Sequence, residues 1–320
     1  MKEQGKQLLS CMKINNNRNN ITYLKLVLIV GFFLFIGIYA NAQSKLKVAI
    51  KGLNTNQELL LKNRGIQSIP FFYQTEITSN GKTLDKALLR NYILGRISDN
   101  YSGIAILDWE GKSYDLLING SDSEAREVVK EFINVIQFAK SIRPKAKWGF
   151  YGLPLRTFKG EYSKLTKLNN RIIPLIKEMD VLAPSLYIYN PQKNIYNFEN
   201  SQSEHGTSDY FYLNLDFALQ IGNKYNKIVS PFIWHRLNSA NKSQALRLVP
   251  DDIFANYYKM IVNRSFQNKK VDAVVWWDHQ SYYYQVRKSY PHLNKQYLGV
   301  KDVDKYDLQI LSKYINLMEK

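Results

Sequence analysis

From residue 45 onward, short apolar runs alternate with longer stretches whose apolar residues recur every three or four positions. The runs Lys47–Lys51, Ile66–Tyr73, Gly103–Asp108, Lys147–Tyr151, Val181–Ile188, Lys227–Trp234 and Ala273–Trp277 are rich in Val, Ile and aromatics and bounded by turn residues, which predicts strands. The wider spacing predicts helices over Leu84–Arg96, Ser123–Ile142, Tyr162–Glu178, Tyr212–Tyr225, Pro250–Ser265 and Asp304–Met318. Seven strands alternating with helices predict an α/β fold with parallel pairing and both faces covered. A closed barrel and an open doubly wound sheet both suit that alternation. No Gly-x-Gly-x-x-Gly follows the first strand, which counts against a dinucleotide-binding sheet. With no Pro-, Gly- or Ser-rich linker and no internal repeat after residue 44, residues 43–320 read as a single domain.

The pattern before residue 45 is different. Lys2, Lys6, Lys13, Arg18 and Lys25 stand against one acid, Glu3, and an apolar run from Leu26 to Ala40 leads into Ala40-Asn41-Ala42. A basic region, an apolar core and a small-x-small site predict a secretory signal peptide over residues 1–42, cleaved after Ala42. A bilayer-spanning helix wants about 20 apolar residues, so the run is short for an anchor. A start at Met12 and an uncleaved, membrane-anchored leader are the alternatives. All of them make the chain an exported one: periplasmic, cell-surface or secreted.

Composition narrows the function classes. With 320 residues, 45% hydrophobic, 9 Pro and 16 Gly, the chain is neither disordered nor collagen-like. Its one cysteine, Cys11, lies in the leader, so no intrachain disulfide is possible, which suits bacterial export better than an animal secretory route. His205, His235, His279 and His292 lie far apart in no metal-binding spacing, so no metal and no cofactor is expected. The formal charge is +17, and the leader accounts for little of it. Such a field draws polyanions. For an exported protein an acidic polysaccharide is a better partner than nucleic acid, and a basic surface with no partner is the bland reading.

The sharpest local signal is Gly103-Ile104-Ala105-Ile106-Leu107-Asp108-Trp109-Glu110, an apolar strand ending in two acids one residue apart. Positions i and i+2 of a strand share a face, so Asp108 and Glu110 converge at the strand's end while Trp109 faces away. Two neighbouring carboxylates cannot both ionise cheaply, so one pKa rises and an acid able to protonate a leaving oxygen results. A loop with two solvated acids is the bland alternative. Aromatics also crowd other predicted strand ends, at Trp148–Tyr151, Tyr187 and Tyr189, Trp234-His235-Arg236 and Trp276-Trp277-Asp278, where they can stack on sugar rings.

These segments resemble the hyaluronidase family of glycoside hydrolases, the type found in venoms and animal tissues. Gly103–Glu110 is similar to that family's G-x-x-V-I-D-W-E strand, and Arg143-Pro144-Lys145-Ala146-Lys147-Trp148-Gly149-Phe150-Tyr151-Gly152-Leu153-Pro154 to its R-P-x-x-x-W-G-F-Y-G-F-P. Ala183–Tyr187 resembles its Y-P-S-I-Y and Ala273–Trp276 its V-I-L-W, in the same order from about residue 66 to 280. The resemblance implies a distorted (β/α) TIM-like barrel of about seven parallel strands and cleavage of β-1,4 bonds after an N-acetylhexosamine. It implies Glu110 as general acid/base and Asp108 as the carboxylate that orients the substrate's own N-acetyl group, the retaining scheme in which substrate supplies the nucleophile. It further implies substrate contacts from Tyr187, Trp276 as the pocket-flooring tryptophan, and Tyr73. Trp234, at an aromatic strand end, is a further substrate-binding candidate.

The departures are specific. Gly111-Lys112-Ser113 follows Glu110 where the family has x-W-R-P, Leu155-Arg156 stands where it has Asp-Cys, and Trp277 replaces a glycine. The strand Pro231–Arg236 leaves the family's binding Arg and Tyr without equivalents, and the roles of His235, Arg236 and Trp277 stay open. The expected substrate is hyaluronan- or chondroitin-like. A hydrolase of a neutral N-acetylglucosamine glycan and a non-catalytic glycan-binding barrel are the other readings.

Overall fold

The computed structural model describes residues 45–157, 162–189, 210–239 and 244–319. The leader with Cys11 and its cleavage site, and His205, lie outside the described residues. Strand β1 (Leu46–Lys51) sends Leu46, Val48 and Ile50 to an outer apolar cluster and Ala49 to an inner one, the alternation of a strand covered on both faces. Helix α1 (Thr55–Asn63) begins at Asn54, which caps the Gln57 amide while Gln57 reaches back to the Asn54 amide.

The strand expected over Ile66–Tyr73 is two, β2 (Gln67–Ser68) and β3 (Phe71–Tyr73), broken at Ile69-Pro70. Short α2 (Gln74–Ile77) and α3 (Lys86–Arg96) lead to β4 (Ile104–Asp108), α4 (Gly111–Asn119), α5 (Asp122–Ile142) and β5 (Lys147–Tyr151). The helix expected over Tyr162–Glu178 divides into α6 (Tyr162–Asn170) and α7 (Ile173–Glu178), with Pro174 in the first turn of α7, where its missing N–H costs nothing. Then come β6 (Val181–Ala183) and α8 (Tyr210–Tyr225). The strand expected over Lys227–Trp234 is again two, β7 (Ile228–Val229) and β8 (Phe232–Ile233), with Pro231 at the break. Helix α9 (Asp251–Asn263), an antiparallel pair of β9 (Ser265–Phe266) and β10 (Lys269–Lys270), and β11 (Val274–His279) follow, then α10 (Tyr282–Val286), α11 (Pro291–Gln296) and α12 (Val303–Met318).

Two parallel sheets result, ordered β2-β1-β11-β8 and β3-β4-β5-β6-β7. Each proline-broken segment gives a strand to both sheets, because proline cannot donate to a continuing ladder. The Pro70 carbonyl accepts from Ile106 in one sheet while Ile69 donates to Val48 in the other. The sheets therefore curve towards each other in a distorted, barrel-like arrangement. Ala49, Phe71, Ile106, Val181, Phe232 and Val275 meet inside it, and the rings of Phe71 and Phe232, from different sheets, lie 5.7 Å apart. Gly149 keeps this interior closed, for a Cβ there would stand 2.3 Å from the Val181 carbonyl oxygen.

The outer cluster is much larger and joins Val48, Phe72, Leu107, Trp148, Leu182 and Trp276 to the helices. At about 1.5–3 kcal/mol for each fully buried large aliphatic or phenyl side chain, that shell supplies most of the hydrophobic stabilisation. The inner layer is thin, and the strands' carboxyl ends above it are free to carry polar groups. No helix among the described residues is long and apolar enough to cross a membrane.

Candidate active site

On β4, Ile104 and Ile106 face inward and Ala105 and Leu107 outward, so Asp108 follows the inner face and Glu110 shares its side. Trp109 goes the other way, 1% exposed and stacked on Phe132 with centroids 5.0 Å apart and planes 8° from parallel. Glu110 is the residue before α4, and Gly111 after it has φ +66, a backbone that other residues adopt only under strain. At α1, α3, α5 and α12 the corresponding residue caps a backbone amide with its side chain. Glu110 makes no such bond, so its carboxylate is not spent on the helix.

Asp108 is poised in another sense. Its Oδ1 is buried without a hydrogen-bond partner. Burial first, and the charge of Glu110 second, push its pKa well above the carboxylate range. The Glu110 pKa is also raised by burial, against a counter-pull from the Arg156 guanidinium. Glu110 is open to water. Protein crowds it without covering it, as on the wall of a concavity. Such a pair holds a proton at pH values where a free carboxylate has lost it.

Arg156 is fixed by the Ser185 carbonyl at 3.2 Å, the Ser185 hydroxyl and the Tyr189 hydroxyl at 3.0 Å. Tyr151, at the end of β5, donates to the same Ser185 hydroxyl at 3.0 Å. Tyr187 is hydrogen-bonded to Tyr151, and its pKa is raised well above the usual value by burial first, with Tyr151, Asp108 and Glu110 adding to it. Tyr73 is the register partner of Asp108 across the β3–β4 ladder. Its pKa is pushed up to about 12, chiefly by burial, with a hydrogen bond to Trp277 opposing and the Asp108 charge adding. Trp234 and Trp277 complete the wall: Tyr187 lies 5.4 Å from Trp234 and 6.2 Å from Trp277, and the two indoles are 5.1 Å apart.

The strand ends thus bring Asp108, Glu110, Tyr73, Tyr187 and Trp234 to one region. Trp276 is not among them. It is fully buried in the outer cluster, donates to His235 Nδ1 at 3.1 Å and packs near Tyr314. The assignment of the pocket floor to Trp276 is corrected by strand parity: Val275 and Trp277 face inward on β11, Val274 and Trp276 outward. His235 is a core histidine, its pKa held well below the usual value by burial and then by Arg236. Tyr151, Arg156, Ser185 and Trp277 were not singled out from sequence as site residues. Tyr151 and Trp277 end predicted strands, which was the available signal, whereas Ser185 lies inside one and Arg156 beyond another. Among the described residues no group of His, Cys, Asp and Glu is arranged to hold a metal ion.

No family model and no curated protein matches the chain. Solved structures do. Bee venom hyaluronidase in a monoclinic crystal has a TM-score of 0.54 at 13% identity, covering 78% of this chain and 99% of that one. Bee venom hyaluronidase in complex with a hyaluronic acid tetramer has a TM-score of 0.53 at 15% identity, covering 80% of this chain and 96% of that one. At such identities the similarity is one of fold alone.

Proposed function

We propose that this chain is an exported glycoside hydrolase that cleaves β-1,4 bonds after an N-acetylhexosamine in an acidic polysaccharide, hyaluronan or chondroitin first. One observation carries the reading: a strand-end acid pair in which half-buried Asp108 has one buried, unpartnered oxygen and Glu110 is open to solvent with a raised pKa. Glu110, protonated, gives its proton to the leaving glycosidic oxygen as the substrate's acetamide oxygen bonds to the anomeric carbon and the glycosidic bond breaks. The Asp108 carboxylate, on its solvent-open side, accepts the acetamide N–H and balances the positive charge that gathers there. Water then opens the cyclic intermediate, its proton passing to Glu110, so configuration is retained and the acid restored. Tyr187, Trp234 and Trp277 offer aromatic faces to the sugar, and Tyr73 borders Asp108. The fold shared with bee venom hyaluronidase supports a glycan partner, and the +17 charge supports an acidic one. Residues 1–42 carry the leader pattern on which export rests.

The test is digestion of hyaluronan by the 43–320 segment beside Glu110→Gln. New reducing ends without unsaturated-uronate absorbance are expected, with turnover in the variant down by about 10²–10⁴. Absorbance from a lyase reaction would sink the acetamide route. Preference for uncharged N-acetylglucosamine oligomers would move the substrate to the neutral class, and glycan affinity with no turnover in the parent would mark a binding protein.

A further inference from the structure

The crossing of residues 66–73 from one sheet to the other leaves an opening. β2 pairs with β1 at Lys47 and Val48, Ile69 donates to the Val48 carbonyl at 2.8 Å, and there the ladder stops. Pro70 has no N–H to extend it, and β3 turns its hydrogen bonds to β4. Between the upper half of β1 and β3 lies a cavity of about 220 Å³ whose walls include Ala49, Lys51, Pro70, Tyr73, Glu76 and Arg96. A space of that size is large enough for several waters or for the carboxylate end of a sugar.

Its charges are unequal. Arg96 donates to both oxygens of Glu76, at 2.7 and 2.6 Å, and to the Phe71 carbonyl at 3.0 Å. Glu76 also accepts the Tyr73 amide at 3.1 Å, so this pair is spent on the fold. Lys51 is not. Its ammonium stands 4.9 Å from the centre of the Tyr73 ring and forms no ion pair among the described residues. It ends β1 on the inward parity of Ala49 and is exposed. Tyr73, its neighbour across the cavity, is the register partner of Asp108. An uncompensated cation therefore stands one strand away from the acid pair.

We propose that this seam is a subsite for a uronate sugar of the substrate chain, whose carboxylate is taken by Lys51 beside the Tyr73 ring. The proposal rests on the glycan-hydrolase reading and narrows it to a substrate with a carboxylate close to the bond that is cut. Cation and ring together make a site that an uncharged sugar fills less well.

The test is calorimetric binding of a hyaluronan hexasaccharide and of its carboxyl-reduced counterpart, in the Glu110→Gln background so that the ligand persists. The acidic sugar should bind about tenfold tighter, the weight of one partly exposed charge-assisted hydrogen bond. Adding Lys51→Met should erase that preference while leaving affinity for the reduced sugar unchanged, and Lys51→Arg should restore it. A preference that survives Lys51→Met, equal affinity for the two sugars, or binding of neither overturns the subsite. Turnover by the unmodified protein is scored separately. Cleavage without a carboxylate preference removes the subsite and leaves the hydrolase, and a Lys51-dependent preference without cleavage does the reverse.

Discussion

Two aspartates stand at the carboxyl ends of parallel strands in this molecule, and their surroundings differ. Asp278, near the end of β11, is 1% exposed, and its Oδ1 accepts the Trp234 indole N–H at 3.3 Å and the Tyr283 hydroxyl. Its Oδ2 accepts Gln280 Nε2 at 2.5 Å, and Gln280 in turn accepts from Gln57 of α1 at 3.1 Å. Arg236 lies over the Tyr283 ring at 3.8 Å. Asp108, at the end of β4, has a buried oxygen that nothing satisfies. Burial raises both pKa values, but Arg236 and the hydrogen bonds pull that of Asp278 back, whereas Glu110 pushes that of Asp108 further up. A fold spends a satisfied buried carboxylate on architecture. An unsatisfied one costs stability, so its presence is not explained by the fold.

The largest effect should come from Asp108→Asn. With the orienting carboxylate gone, turnover should fall by about 10²–10⁴, while at neutral pH the protein becomes more stable, because asparagine has no charge to bury beside Glu110. A melting temperature higher by several degrees would register this. The sign follows from linkage: a raised folded-state pKa means that the folded protein holds its proton more tightly than the unfolded chain. Stability is then fullest below the unfolded carboxylate pKa of about 3.9 and is lost as pH rises through the folded value. The gain from asparagine should therefore open as pH rises and vanish in acid. A gain equal at both ends, or a loss, would mean that Asp108 is not the strained member of the comparison.

Asp278→Asn should act in the opposite direction. Its amide sets a donor against the donors of Trp234, Tyr283 or Gln280, at a cost of about 1–3 kcal/mol. Melting should come several degrees earlier, and because Trp234 packs on Tyr187 and Trp277, glycan binding should weaken with it. Unchanged melting would show the network to be slack.

Most of the fold was legible in the sequence because the β/α alternation is strong, and so was the acid pair, because parity alone places Asp108 and Glu110 on one side. Two things were not. Segments 66–73 and 227–234 read as unbroken apolar runs, yet Pro70 and Pro231 divide them, and the sheet switch at those prolines is a tertiary event with no periodic signal. The confusion of Trp276 with Trp277 has a similar root. A parallel strand covered on both faces is apolar at every position, so Val274-Val275-Trp276-Trp277 carries no alternation to say which indole faces inward. Only the packing of Trp276 with His235 and Tyr314 decides it.

The smallest effect, and the finest test of the acid pair, concerns Arg156. Its guanidinium is the pull that opposes burial at Glu110. In Arg156→Met that pull is gone, so the Glu110 pKa rises further and Glu110 stays protonated to higher pH. As the general acid must carry its proton, the alkaline limb of the kcat/KM profile should move to higher pH, even if peak activity falls through the loss of the contacts to Ser185 and Tyr189. Arg156→Lys, which keeps the charge, should return the limb towards its original position whatever happens to the peak. A purely structural arginine would lower the whole profile and leave its limbs in place, so a stationary alkaline limb in Arg156→Met would detach Arg156 from the acid and leave Glu110 governed by burial.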